Sequence, residues 1–402
     1  MQRKSITRRT LLQGVAVTGL GALGVRVMAA SSAPAAAPSG ATPIIDALGA
    51  PADTVVRRSV VQQQESRDKA RAEFLDPDVI TVFLPGTAGP MSPTEAQTAN
   101  VVFVNGQFLL FDAGDYAQKR MEQSTLPMDA LDAVFITHFH NDHIADLGEV
   151  IQRSFMLGRE KNLVIYGPTG TDAIVQGFNA SYAEDSDYRT LHHTEQWMPS
   201  EFHGATASEF SADETVVEVY RKDGVVVTAF RVAHPPVEPV FGYTIEFAGK
   251  KVVISSDTLI TEELRHQSRD ADLLVMDVMN YELVELMENT FREVGDERNA
   301  VIFFDIREYH PDVNDVGVMA EEQGVKRMAL THFAPTLPSR FLMNHYYVNP
   351  IKANYSGELY ADGDGTTVRI PGRELGNQVV VQVLGGPGGC FLRPASLACR
   401  RP

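Results

Sequence analysis

Apolar residues run along this chain in two rhythms. Short strand-like runs alternate with stretches whose apolar positions recur at helical spacing, and turn residues mark each change. From Ala52 to Phe74 the pattern predicts a charged helix, closed by Pro77 beyond its end. Strand runs follow at 79–84 (VITVFL), 100–114 (NVVFVNGQFLLFDAG), 133–138 (AVFITH) and 163–168 (LVIYGP). A second set lies at 216–234, 241–258, 272–278 and 327–333. Asn105-Gly106, Asp223-Gly224 and Gly249-Lys250 interrupt the longer runs and predict hairpin turns. A helix is expected to open near His143, with others at 170–184, 260–269, 282–294 and 313–324. Hairpins and helices thus alternate twice, once before residue 185 and once after 215. An α/β fold buries such runs as two mixed sheets packed face to face with helices outside, a four-layer αββα sandwich. The polar segment 185–213 has little periodicity and reads as a loop inserted between the halves.

The ends of the chain differ from its middle. Residues 1–37 hold Arg3, Lys4, Arg8, Arg9 and Arg26 and no carboxylate. Paired arginines, a soft Gly-rich apolar run and small residues read as a cleavable twin-arginine export signal, which implies a periplasmic or secreted protein. Arg26 and the glycines make the run too weak for a membrane span, so no stable anchor is expected after cleavage. Residues 38–77 read as linker and leader helix, 78–375 as the main folded domain, and 376–402 as a Gly/Pro-rich tail without a packed core. The tail carries both cysteines, Cys390 and Cys399, able to close a small disulfide loop in an oxidising compartment. The net charge is −17, and without residues 1–37 it becomes −22. An acidic surface repels polyphosphates, which argues against a nucleic-acid partner.

The chemistry concentrates in THFHNDH. His138 and His140, two apart on extended backbone, point to one side. Asp142 and His143 follow where the chain turns into a helix and can face a second cation. The spacing H-x-H-x-D-H is far more specific to metal than a lone His pair. Further ligands must arrive from other strand ends, and His234, Asp257 and His332 each close an apolar run. Asp257 can bridge two metals, as an imidazole cannot. Asp112, closing LLFDAG, is expected to orient a ligand imidazole.

Together with FLPGTAGPMSP, LVIYGPTGT, VAHPPVEPVFGYTIEF and VVISSDT, these motifs resemble the metallo-β-lactamase superfamily, in its ribonuclease Z and arylsulfatase-like branch, across residues 78–370. The run GPTGTDAIVQGFNASYAEDSDYR is closest to the arylsulfatase-like members. The resemblance implies two Zn²⁺ per chain, one held by His138, His140 and His234, the other by Asp142, His143 and His332, with Asp257 bridging. It implies a metal-bridged hydroxide that attacks a small-molecule ester, sulfate or phosphodiester, with a lactone or other carboxylic ester as the alternative. A metal-binding protein with vestigial catalysis is the alternative of another class. Asp142 would orient the nucleophile or shuttle a proton. Two departures from the family pattern bear on the substrate. Met276 and Asp277 stand where ribonuclease Z-like members carry a His-Glu pair, whose His is assigned to leaving-group protonation. His310 aligns with another family His and serves either as the acid or as a hydrogen-bonding strut. Only 22 residues separate His234 from Asp257, where ribonuclease Z inserts a tRNA-clamping arm. The resemblance therefore implies no tRNA processing, and it implies a homodimer. His192, His193, Trp197, His203, Met276, Met279 and Tyr281 remain as candidates for the substrate mouth.

Overall fold

A computed structural model describes residues 52–371, and both the expected export signal and the cysteine-bearing tail lie outside that range. The chain divides into two compact units, Met1–Ser59 and Val60–Pro402. The described part of the first unit is the opening of the helix Ala52–Phe74, the helix expected from sequence. Everything below concerns the second.

Six strands come first: β1 (Val79–Gly86), β2 (Ala99–Val104), β3 (Gln107–Phe111), β4 (Leu131–Phe135), β5 (Val164–Pro168) and β6 (Thr206–Phe210). A second series follows: β7 (Val216–Lys222), β8 (Val225–His234), β9 (Val237–Phe247), β10 (Lys250–Ile254), β11 (Leu273–Met279), β12 (Arg327–Ala334) and β13 (Glu358–Tyr360). The last strand, β14 (Thr366–Pro371), returns to the first sheet. The two seven-stranded sheets run β14-β1-β2-β3-β4-β5-β6 and β13-β12-β11-β10-β9-β8-β7. Each is mixed: β14 to β3 and β7 to β10 pair antiparallel, while β3 to β6 and β10 to β13 pair parallel. The hairpins fall where the turn chemistry put them. Asn105 and Gly106 (φ 49° and 71°) and Asp223 and Gly224 (φ 49° and 82°) take left-handed conformations, as primed turns require. The third turn sits one residue earlier than expected, at Ala248 and Gly249 (φ 48° and 75°).

Three apolar layers account for the four-layer stack. One lies between the sheets and joins Val82, Phe111 and Phe135 to Val227, Phe241 and Tyr243. A second packs Phe103, Leu110 and Val134 of the first sheet under Leu147, Val150 and Ile151 of the helix Leu147–Met156. The third packs Leu274, Met276 and Leu330 under Val316, Met319 and Ala320 of the helix Val313–Glu322. Phe135 centres the middle layer, stacked on Phe111 at 4.7 Å and Tyr166 at 5.1 Å and edge-on to Tyr243 at 5.6 Å. Phe135→Ala is expected to cost about 3–5 kcal/mol, read as a lower urea midpoint.

The segment 185–213 is not the loop its polarity suggested. The helix Thr171–His193 runs nine residues past the expected end, and β6 pairs in parallel with β5. Among the described residues, no helix is long and apolar enough to cross a membrane.

Candidate metal centre

The centre is assembled where strands of both sheets end. At the exit of β4, Asp112 locks the chain. Its Oδ1 accepts from the Thr137 amide and its Oδ2 from the Thr137 hydroxyl, both at 2.9 Å. Asp112 itself is left-handed (φ 60°), a conformation that short side chains with local hydrogen bonds tolerate. Two residues on, His138 Nε2 faces His140 Nδ1 at 3.0 Å. The short helix Asn141–Ile144 then turns Asp142 and His143 into the interior, where both are buried. Gly114 lets this helix sit close, since a β-carbon there would lie 2.1 Å from the Asp142 carbonyl oxygen. On the other sheet, His234 ends β8, Asp257 follows β10, and His332 lies within β12 with φ 47°. Left-handed backbone at a buried His stores strain of the kind that functional sites carry.

These residues converge. Ligand-type atoms of His138, His140, His234 and Asp257 all lie within 4.8 Å of one another. So do those of Asp142, His143, Asp257 and His332, which makes Asp257 common to both groups. Its Oδ2 lies 3.2 Å from His143 Nε2, 3.1 Å from His332 Nε2 and 3.9 Å from His138 Nε2. Asp142 Oδ2 lies 3.1 Å from His332 Nε2. The outer ring nitrogens are engaged from behind. His143 Nδ1 donates to Asp112 Oδ2 at 2.8 Å, and His234 Nδ1 to the Tyr309 carbonyl at 3.2 Å. A ring tied at Nδ1 turns Nε2 inward as the neutral donor a metal needs. Asp112→Asn is therefore expected to weaken metal affinity about 10–100-fold in a chelator competition.

The electrostatics fit a cation pair. Burial pushes the pKa of His138 and His140 down and that of His234 to about 4, which favours the neutral imidazole. His143 and His332 are pushed the other way. Burial opposes their charge, but Asp257 with Asp112 and Asp142, or with Asp142 and Asp277, overrides it. Asp257 Oδ1 is buried with no hydrogen-bond partner, the position of a metal-ligating oxygen. The donor set of imidazole nitrogen and carboxylate oxygen suits divalent metal.

Residues 107–333, more than half of the chain, match the family model described as the β-lactamase superfamily domain. The chain belongs to the metallo-β-lactamase superfamily. Curated superfamily members resemble it over most of their length. Ribonuclease Z of Mycobacterium bovis is 29% identical over 265 residues, 64% of this chain and 88% of the relative. Ribonuclease Z of a Mycobacterium species (strain KMS) is 31% identical over 263 residues, 64% of this chain and 86% of the relative. Among solved structures, the metallo-β-lactamase fold protein YhfI from Bacillus subtilis shares the fold at TM-score 0.53 and 20% identity, covering 73% of this chain and all of that one.

Beside these two groups lies a third, in which ligand-type atoms of Asp277, His310 and His332 also lie within 4.8 Å of one another. His310 Nδ1 donates to Asp277 Oδ2 at 2.8 Å, and both are buried. The His310 ring is 4.9 Å from that of His332 and 5.1 Å from that of His234. The other Asp277 oxygen lies 3.5 Å from His332 Nδ1. Asp277 lies inside the fully buried strand β11, a carboxylate in an otherwise apolar run.

The substrate-mouth candidates fare differently. Met276 is fully buried in the apolar layer under the helix Val313–Glu322, on the opposite strand face from Asp277, so it lines no mouth. Met279 packs with Val284 and Phe303. The Tyr281 hydroxyl is spent on the Arg307 and His310 carbonyls, at 2.7 and 2.8 Å, and thereby positions His310. His192 and His193 close their helix exposed, Trp197 is exposed, and His203 bonds Thr190 at 2.9 Å; none joins the converging groups.

Proposed function

We propose that this chain is an exported hydrolase of small phosphodiesters working with two zinc ions, with sulfate esters as the second substrate class. The observation that carries the phosphodiester reading is the buried His310–Asp277 pair against the ligand histidines. Met276 in place of the family His weakened that reading only while no proton donor was known at the centre. The relatives named ribonuclease Z cleave phosphodiesters, which supports the same bond type here. Sulfate esters rank second on the likeness of residues 167–189 to the arylsulfatase-like branch. Carboxylic esters and lactones, and a chain with vestigial catalysis, rank below both.

His138, His140 and His234 would hold one metal, Asp142, His143 and His332 the other, with Asp257 between. Bound there, a divalent pair supplies a Lewis acid and lowers the pKa of water toward about 7. The chain's own groups do the rest. Asp142 faces the centre as a carboxylate acceptor that would orient an attacking water. Asp277 fixes His310 with Nδ1 as donor, leaving Nε2 to pass a proton to the departing oxygen.

A small substrate fits the interval between His234 and Asp257, which is filled by β9, the turn at Ala248–Gly249 and β10, with no clamping arm. The acidic balance supports it too, and argues against nucleic acid. Export rests on Arg8-Arg9 and the run behind them, and a homodimer on the family resemblance alone. The test is turnover by the zinc-loaded full chain on bis(4-nitrophenyl) phosphate, 4-nitrophenyl sulfate, a lactone and a β-lactam. The phosphodiester should be cleaved at least tenfold faster in kcat/KM than the others. Preference for the lactone would overturn the reading.

A further inference from the structure

Tyr309 stands between the ligand histidines and the proposed acid without an assigned task. Its ring meets that of His234 edge-on at 4.8 Å and 87°, and lies 5.0 Å from that of His310. Its carbonyl accepts from His234 Nδ1 at 3.2 Å, and its amide donates to Ile306 at 3.4 Å. The Tyr281 hydroxyl, bonded to the carbonyls on either side at Arg307 and His310, pins the same segment. The ring is therefore held in place before anything binds. Its hydroxyl is not held. Tyr243, Tyr281, Tyr347 and Tyr355 each give their hydroxyl proton to a backbone carbonyl, as buried tyrosines do. Tyr309 is half-buried, and among the described residues its hydroxyl has no protein acceptor. A phenol fixed at the ring, free at its tip and set against both a ligand imidazole and the acid is preorganised for a third party.

We propose that the Tyr309 hydroxyl donates a hydrogen bond to a non-bridging phosphoryl oxygen of the substrate, on the His234 side of the centre. This rests on the phosphodiester reading above. It makes Tyr309 a binding residue for the tetrahedral anion, distinct in role from His310, which serves the leaving group. A hydrogen bond to a charged acceptor contributes about 1.5–3 kcal/mol, roughly 10–100-fold in affinity.

Two variants of the zinc-loaded full chain separate this role from packing. Tyr309→Phe keeps the ring on His234 and removes only the hydroxyl; Tyr309→Ala removes both. Three quantities are measured: zinc per chain, the dissociation constant of inorganic phosphate by calorimetry, and kcat and KM on bis(4-nitrophenyl) phosphate. Tyr309→Phe is expected to keep its zinc, bind phosphate at least tenfold more weakly and lose kcat/KM by a similar factor. Unchanged phosphate affinity in Tyr309→Phe would overturn the proposal, as would loss of zinc in that variant, which would reduce Tyr309 to a prop for His234. A wild type that binds phosphate but cleaves no phosphodiester would sink the functional reading, while the phosphate comparison still decides the Tyr309 contact. A wild type that binds no phosphate would overturn the Tyr309 contact directly.

Discussion

Replacing His310 by Ala is expected to lower kcat/KM by about 10²–10⁴-fold on a phosphodiester with an alkyl leaving group. On bis(4-nitrophenyl) phosphate, whose phenolate departs unaided, the loss should be far smaller. The asymmetry is the point. His310 is held by Asp277 at 2.8 Å with its ring against His234 and His332, so truncation removes a proton donor and leaves the donor groups for metal intact. The rate should therefore depend more steeply on leaving-group pKa in the variant than in the wild type. Asp277→Asn should show the same pattern in milder form, because it disorders the ring without deleting it. An equal loss across all leaving groups would mean that His310 is a strut and that the proton comes from elsewhere.

Asp257→Ala should be more severe and less selective. Its Oδ2 lies 3.2 Å from His143 Nε2 and 3.1 Å from His332 Nε2, and it belongs both to the group of His138, His140 and His234 and to that of Asp142, His143 and His332. Without it each group loses its shared carboxylate. Metal content should fall by one ion or more per chain. Turnover should fall at least about 10³-fold for every substrate, since several kcal/mol of transition-state stabilisation leave with the metal. A variant that kept full metal and lost less than tenfold in rate would show that Asp257 bridges nothing. Chelation of the wild type offers a parallel check. Metal that binds only the folded chain stabilises by about 2.7 kcal/mol at a hundredfold excess over its Kd, so the thermal midpoint should drop on chelation.

Much of this was legible in the chain, for reasons that differ by element. The central strands announced themselves because both faces are buried, which leaves uninterrupted apolar runs such as those of β1, β2 and β11. Three of the four edge strands did not. β6 is mostly exposed and polar, β13 has three residues, and β14 mixes threonine, arginine and proline into its run. The helix Thr171–His193 was cut short because few of its residues are buried, so its last nine positions show no apolar period. The donor residues were readable because each ends a buried run or sits in a dense histidine motif. The His310–Asp277 pair was not. Its members lie 33 residues apart, on either side of the helices Tyr281–Glu293 and Glu297–Asp305, and only folding brings them together. Met276 misled for a related reason. A residue type missing from one strand position suggested a missing function, while the strand's alternation sent Met276 to the core and Asp277 to the centre.

The account stands or falls on whether the seven donors hold metal. Elemental analysis of the purified full chain, as isolated and after zinc loading and gel filtration, measures this directly. The arrangement predicts two divalent ions per chain after loading, falling to one or none in Asp257→Ala. A loaded wild type with less than about 0.2 ion per chain would contradict it and remove the basis for the proposed hydrolysis.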